Sequence, residues 1–157
     1  MPAFDTTRRV PFTAEQMFAL VADVERYPEF VPLCEGLRVR SRAHEGDAEV
    51  LVADMDVGYK AIRETFTSRV TLRPRVPAVA VEAIAGPFRH LENRWTFAPV
   101  GGRCDVGFFI SYEIASFMLQ MLAGAVIEQA FRRFAEAFEE RARQVYGAPR
   151  MDGLSRA

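Results

Sequence analysis

The sequence is poor in the residues that build metal centres and disulfide frameworks. Its 157 residues include two cysteines and two histidines. Cys34 and Cys104 form no CxxC pair and have no histidine cluster nearby, so the sequence predicts neither a zinc site nor a disulfide framework. So few cysteines are typical of a protein of the reducing cytoplasm. We expect the chain to require neither a metal nor a cofactor.

The common catalytic motifs are also missing. The chain has no GxSxG nucleophile elbow, no HExxH helix and no P-loop glycine pattern, and His44 and His90 lie in or beside predicted turns. Glu64 or Glu113 would serve as an acid or base only if buried, and neither has an obvious partner in the sequence. The spacing therefore gives no support for hydrolysis, phosphoryl transfer or metal catalysis, and we predict no catalytic residue.

The sequence has no excess of one charge and no secretory signal. Twenty Lys and Arg residues against 21 Asp and Glu residues give a formal net charge of -1, so no overall field draws the protein to DNA or to a membrane. The segment Met1 to Val10 carries Asp5, Arg8 and Arg9 without an apolar h-region. We expect a cytoplasmic protein, and peripheral contact with the inner membrane is the alternative.

The composition that remains is that of a globular α/β protein. Half of the residues are hydrophobic, including 13 Phe, and 26% are charged. A chain of this length buries a substantial core in one domain. We predict a single ligand-binding domain over residues 1–147 and a flexible tail over residues 148–157, because the chain after Gly147 is small, polar and contains Pro and Gly.

The N-terminal part predicts a strand followed by a short helix. Residues Ala3 to Val10 are predicted as the strand. Thr13 is a plausible N-cap with Gln16 three residues later, the spacing of a capping box. The helix is predicted to run to about Asp23. Prolines then bound the segment Tyr27 to Leu33, which is apolar for a loop.

An alternation of period two predicts about six strands between Leu37 and Glu113. Leu51, Ala53, Met55 and Val57 share one face of such a strand. Glycine and proline turns separate the runs, and short hairpin connections imply antiparallel pairing. With the first strand, this predicts an α+β fold in which a curved antiparallel sheet of about seven strands grips a C-terminal helix.

A helical period returns near Ser116 and lasts to about Val145. This length is roughly 45 Å if the helix is straight. The second half is amphipathic and is predicted to pack on the sheet. The first half, Phe117 to Ile127, is apolar on nearly every side, yet it is too short for a bilayer, which needs about 20 residues. Buried core, a cavity wall and a membrane-touching surface all remain open for it. Buried core is the plain interpretation, and the adaptable methionines and the interior Gly124 support the cavity wall as the alternative.

The candidate ligand site combines this helix with the aromatic face of the sheet. Such a lining of aromatics and Met with few polar groups is typical of a lipophilic pocket, although a plain core would look similar. Asn93 shares the apolar face of its strand, so its amide must bond either to backbone or to a ligand carbonyl. The predicted site residues are Tyr27, Phe30, Leu33, Met55, Phe66, Leu91, Asn93, Trp95, Phe108, Ile110, Phe117, Met118, Met121 and Leu122.

Three arginines form the one local charge pattern. Arg38, Arg40 and Arg42 recur at strand period two, so their guanidinium groups project from one side of a strand. We call them the arginine stripe. One interpretation is an edge strand protected by charge against aggregation. The others are contact with anionic lipid headgroups or with the phosphates of an RNA.

Several segments resemble a known family. Val10 to Phe12, Gln16 to Cys34 (QMFALVADVERYPEFVPLC), Gly86 to Phe97 (GPFRHLENRWTF) and Cys104 to Glu113 (CDVGFFISYE) are similar to the coenzyme Q-binding START-like family. That family includes the bacterial ribosome association toxin and belongs to the wider polyketide cyclase/dehydrase and lipid transport group. The resemblance covers about Val10 to Tyr146. It implies the helix-grip (START/Bet v 1-like) fold, with two short helices after the first strand and an apolar tunnel between helix and sheet.

The resemblance also implies candidate functions. The first is binding of ubiquinone or another polyprenyl lipid, as a carrier or chaperone that supports respiration. The second is contact with the large ribosomal subunit that blocks subunit association. The third is a polyketide cyclase or dehydratase, which needs a buried acid or base such as Glu64 or Tyr112. We favour the first, a binding protein rather than an enzyme.

Overall fold

The computed structural model describes residues 2–147 as a seven-stranded antiparallel sheet with helices packed on one face. The strands are β1 (Ala3–Val10), β2 (Cys34–Glu45), β3 (Ala48–Tyr59), β4 (Ile62–Arg73), β5 (Ala78–Ala85), β6 (Phe88–Val100) and β7 (Arg103–Ile114). Their order across the sheet is β1-β7-β6-β5-β4-β3-β2. The predicted meander of six strands is confirmed, and β1 pairs beside the last of them.

Four helical segments complete the described part of the chain. They are α1 (Ala14–Ala22), a 3₁₀ helix (Val24–Glu29), α2 (Phe117–Arg132) and α3 (Phe134–Tyr146). The two short helices predicted after the first strand are therefore present. Within residues 2–147, none of these helices combines the length and the apolar character needed to cross a bilayer. Residues 148–157, predicted as a tail, lie outside the described residues.

The capping box predicted at the start of α1 is present. The Thr13 hydroxyl accepts a hydrogen bond from the Gln16 backbone N–H at 3.1 Å, and the Gln16 side-chain oxygen accepts one from the Thr13 N–H at 2.9 Å. These bonds satisfy two amide groups that a helix start leaves unpaired. The Tyr27 hydroxyl donates to the Val21 carbonyl at 2.5 Å, which fastens the 3₁₀ helix to α1.

The single C-terminal helix predicted from the sequence is interrupted at one residue. Arg133 has φ -100° and ψ -1°, and its N–H donates to the Ala130 carbonyl at 3.1 Å, one residue short of the α-helical partner. This tightened turn ends α2 and starts α3. The Ala137 N–H still bonds to the Arg133 carbonyl at 2.9 Å, so the two helices follow each other directly.

Phe138 of α3 is the centre of the aromatic core. Its side chain is 1% exposed. Its ring centroid lies 4.8 Å from that of Trp95, 4.9 Å from Phe30 and 5.3 Å from Tyr27, all near edge-to-face geometry. This arrangement is the one that aromatic quadrupoles favour. The cluster joins α3, β6 and the 3₁₀ helix, and it leaves an unfilled space beside it.

Candidate functional site

An apolar cavity lies between the inner face of the sheet and the C-terminal helices. Its volume is about 100 Å³, and it is partly open to solvent. Trp95 pairs with Phe108 across β6 and β7, and Met55 pairs with Phe66 across β3 and β4. Since side chains alternate between faces along a strand, these pairings direct a set of large side chains toward the helices. The sheet therefore supplies one wall of the cavity.

Eight of the residues predicted for the site line this cavity. They are Tyr27, Leu33, Met55, Phe66, Leu91, Asn93, Trp95 and Ile110. Phe30 and Phe108 lie one layer behind the lining, where Phe30 contacts Phe138 and Phe108 lies 4.7 Å from Trp95, measured between ring centroids. The period-two alternation of the strands located this wall. That these residues bind a ligand stays a prediction.

The prediction that the front half of the C-terminal helix lines the cavity is wrong. Phe117, Met118, Met121 and Leu122 do not line the cavity; they are exposed by 78%, 68%, 69% and 61%. The helix turns Leu119, Ala123 and Gly124 toward the protein instead. Gly124 does not line the cavity either, and an added Cβ there would meet the Gln120 side chain of the same helix at 2.6 Å.

The helical wall of the cavity comes from further along the chain. Ile127, Ala130 and Phe131 of α2 and Phe134 and Phe138 of α3 face the inner side of the sheet. Ile127, Phe131, Phe134 and Phe138 belong to the amphipathic stripe that the sequence predicts to pack on the sheet, and Ala130 lies beside it. The helical spacing of these residues correctly predicts which side of the helices faces the sheet. It does not show that a cavity remains between the helices and the sheet.

The polar groups in the lining are few and neutral. The Asn93 amide nitrogen donates to the Phe109 carbonyl at 2.9 Å, and Asn93 Oδ1 accepts from the Trp95 indole N–H at 3.0 Å. The Asn93 amide is thus hydrogen-bonded within the protein, and its bond to backbone is the first of the two alternatives that the sequence leaves open. The hydroxyl-bearing residues of the lining are Ser68 and Tyr27. Burial raises the pKa of Tyr27, so its phenol stays protonated.

None of the candidate acids and bases faces the cavity. Glu64 is exposed on β4, and Glu113 accepts a hydrogen bond from Arg89 at 2.7 Å. Burial raises the pKa of Tyr112, which lies outside the lining. Both thiols, Cys34 and Cys104, are free and buried, and burial raises the pKa of each to about 11. Among residues 2–147, the cavity lining contains no carboxylate, imidazole or thiol.

The arginine stripe lies on β2, an edge strand, but its charges are paired. Arg38 contacts Asp56 at 2.7 Å and Arg40 contacts Asp54 at 3.4 Å. Arg42 contacts Glu25 at 3.0 Å. The hydrogen bonds from Arg38 and then Thr65 lower the pKa of Asp56 to about 2. The stripe is therefore part of a mixed-charge surface rather than an isolated basic patch, and it fits the edge-protection interpretation.

The family model for polyketide cyclase/dehydrase and lipid transport proteins matches residues 10–139. The chain belongs to this family. The ribosome association toxin RatA of Vibrio cholerae is 40% identical over 141 residues, which are 88% of this chain and 93% of that protein. The mitochondrial coenzyme Q-binding protein COQ10 homolog B of Xenopus laevis is 31% identical over 148 residues, which are 92% of this chain and 59% of that protein.

Solved structures show the fold. The solution structure of the 18 kDa protein CC1736 from Caulobacter crescentus is 34% identical, with a TM-score of 0.75 over 94% of this chain and all of that one (100%). A START superfamily protein from Mycobacterium smegmatis is 23% identical, with a TM-score of 0.71 over 91% of this chain and 98% of that one. The fold is the predicted helix-grip fold of START/Bet v 1-like proteins.

Proposed function

We propose that this protein binds a polyprenyl quinone, such as ubiquinone, in the apolar cavity and acts as its carrier or chaperone. The observation that supports the proposal most is the cavity between the sheet and helices α2 and α3, lined by apolar and aromatic side chains. The 31% identical relative named as a coenzyme Q-binding protein supports the choice of quinone. Burial of the prenyl tail supplies the affinity, at about 0.8 kcal/mol for each methylene removed from water.

The cavity must widen to accept this ligand. Its volume of about 100 Å³ is small beside the roughly 300–1,000 Å³ of typical ligand pockets. It is also smaller than the engineered apolar cavity of about 150 Å³ that holds a benzene molecule. A quinone ring with a prenyl tail is larger than benzene, so one wall has to move when the ligand enters.

Helix α2 is the wall best suited to move. Its buried residues are small except for Leu119 and Phe131, whereas α3 is fixed through Phe138 in the aromatic cluster. Small side chains give up little contact when a helix shifts. We therefore expect the ligand to enter between α2 and the sheet, with Ile127 and Phe131 displaced first.

Trp95 allows a direct test, because it is the only tryptophan of the chain and lines the cavity. Titration with decylubiquinone, a short-tailed quinone analogue, should quench its fluorescence to saturation at one ligand per protein. A quinone headgroup without a tail should bind about tenfold more weakly or worse, since two or more buried methylenes are lost. The measurement is steady-state fluorescence in a buffer that keeps the analogue dispersed.

The proposal predicts saturation at this stoichiometry and a preference for the tailed quinone. Linear quenching without saturation, equal for the tailed and the tail-free compound, would mean collision with the surface and would exclude the cavity as a quinone site. Binding of a tailed fatty acid without any binding of the quinone would keep the cavity as a lipid site but reject the quinone.

A second candidate function is association with the large ribosomal subunit. It is favoured by the 40% identical relative named ribosome association toxin RatA. We expect the protein, under this hypothesis, to sediment with isolated large subunits at low salt and to be released steeply as salt rises, because contacts with phosphates release counterions. Failure to sediment with the subunits at low salt would reject it.

The arginine stripe provides the variant for that experiment. Its replacement by three alanines should weaken cosedimentation, whereas alanine at Arg69, Arg75 and Arg94, three exposed arginines of other strands and turns, serves as the matched control. Equal loss in both triple variants would mean a general charge effect.

We do not propose the cyclase function, because the cavity lining in the described part of the chain contains no carboxylate, imidazole or thiol that could act as an acid or base.

A further inference from the structure

The front half of α2 presents large apolar side chains to solvent. Phe117, Met118, Met121 and Leu122 are each more than 60% exposed. At helical spacing they fall on one side of the helix and form a continuous patch. We call these four residues the α2 patch. They make up four of the nine large hydrophobic residues exposed in the described part of the chain.

Most of the large apolar side chains in the front half of α2 therefore point away from the protein. A helix at the surface of a globular protein turns its bulky apolar residues inward. In the front half of α2, Leu119, Ala123 and Gly124 are buried, and the four large residues of the α2 patch are exposed. Scattered exposed hydrophobic residues are ordinary, but a contiguous patch indicates a surface that meets an apolar partner.

The α2 patch is uncharged and lies in an uncharged stretch of chain. No charged residue occurs between Glu113 and Glu128. Both of these carboxylates are paired, Glu113 with Arg89 at 2.7 Å and Glu128 with Arg132 at 3.3 Å. The helix thus offers an apolar surface whose bordering negative charges are neutralised, so an anionic lipid surface meets little repulsion there.

The α2 patch lies at one end of the sheet. At this end, some residues that line the cavity are only half-buried. At that end, Phe88 pairs with Ile114, and the Ala115 N–H donates to the Pro87 carbonyl at 2.7 Å just before α2 begins. Phe88 and Val57 line the cavity and are half-buried. The β3–β4 hairpin ends there with Tyr59 and Lys60, residue types that favour the headgroup region of a bilayer.

We infer that the α2 patch docks the protein onto a phospholipid bilayer. The inference rests on the proposed function, since a polyprenyl lipid resides in a bilayer and a carrier must reach it there. Helix α2 carries the patch on one side and, through Ile127 and Phe131, a cavity wall on the other. The helix that inserts the α2 patch among the acyl chains is therefore the same helix that must shift for the cavity to open.

A bilayer fits the patch better than a second copy of the chain. A stable protein–protein interface uses roughly 20–30 residues on each side. The patch has four large side chains, and a surface of that size is enough for shallow interfacial insertion, where binding scales with the apolar area buried in the lipid.

Flotation with lipid vesicles tests the inference. The full chain should float with large unilamellar vesicles of equimolar phosphatidylethanolamine and phosphatidylglycerol. The double variant Met118→Gln/Met121→Gln should lower the vesicle partition coefficient about tenfold or more, because two apolar side chains no longer enter the lipid. Val76→Gln/Val100→Gln is the matched control, since those exposed valines lie at the opposite end of the sheet. The control should bind within about twofold of the unaltered protein.

The outcomes separate docking from ligand binding. Met118→Gln/Met121→Gln should still give saturable Trp95 quenching by decylubiquinone, because neither methionine lines the cavity. Quinone binding together with a protein that never floats would overturn the docking inference alone. Flotation without any quinone binding would uphold docking and reject the proposed ligand. A dimer in sedimentation analysis that the double variant dissociates, without flotation, would assign the patch to a second copy and overturn the inference.

Discussion

Replacement of Ala53 by leucine should abolish the saturable quenching of Trp95 fluorescence by decylubiquinone. Ala53 is 2% exposed and lines the cavity from β3. Leucine adds three carbon atoms, which would occupy most of a space of about 100 Å³. We expect the apparent affinity to fall by about tenfold or more, because the apolar contacts that would hold the ligand are already made by the protein.

The same substitution should leave the protein folded. Filling an existing space costs less than overpacking a complete core, which typically destabilises by about 1–3 kcal/mol. Ala80→Leu is the matched control, since Ala80 is exposed on β5. Unaltered quinone binding by Ala53→Leu, with a melting temperature equal to that of the control, would show that the ligand does not use this cavity.

Replacement of Phe138 by alanine should lower the free energy of unfolding by about 3–5 kcal/mol. Phe138 is 1% exposed, and its ring packs against Trp95, Phe30 and Tyr27. The substitution removes the ring and leaves a cavity where α3 meets the sheet. Urea unfolding followed by far-ultraviolet circular dichroism measures the change.

Val145→Ala on the same helix separates packing from helix propensity. Val145 is 51% exposed, so its truncation should change the free energy of unfolding by about 0.5 kcal/mol or less. If Phe138→Ala were as mild as this control, the aromatic cluster would not be what holds α3 on the sheet. The expectation that α2 is the movable wall would then lose its basis.

The sheet and its inner face could be predicted from the sequence because a strand has an exact side-chain period. Leu51, Ala53, Met55 and Val57 were assigned to one face, and three of these four residues line the cavity. Thr13 and Gln16 marked the start of α1 in the same way, through a pattern with a single geometric solution. The turn residues between strands then fixed the antiparallel order.

The front half of α2 could not be oriented from the sequence. When apolar residues occur all round a helix, the helical period does not show which side faces the protein. Residue size did not show it either, because the buried residues there are Leu119, Ala123 and Gly124, while larger Phe117, Met118 and Met121 are exposed. The break at Arg133 was also invisible, since no proline or glycine marks it.

The charge of the arginine stripe was predicted without its partners. A sequence shows that Arg38, Arg40 and Arg42 share a side of one strand. It does not show that Asp54 and Asp56 of the neighbouring strand face them, because that depends on the register of β2 against β3. Exposed pairs of this kind contribute little stability, and they offset part of the positive charge that the phosphate-binding interpretation invokes.

Mass spectrometry of the lipids extracted from the purified protein tests the central claim most directly. The account predicts that organic extraction of the protein releases a polyprenyl quinone, and that Ala53→Leu purified in parallel releases little or none, while Ala80→Leu releases as much as the unaltered chain. Equal amounts of quinone from all three proteins, or no lipid from the unaltered chain together with no uptake of added quinone, would contradict it.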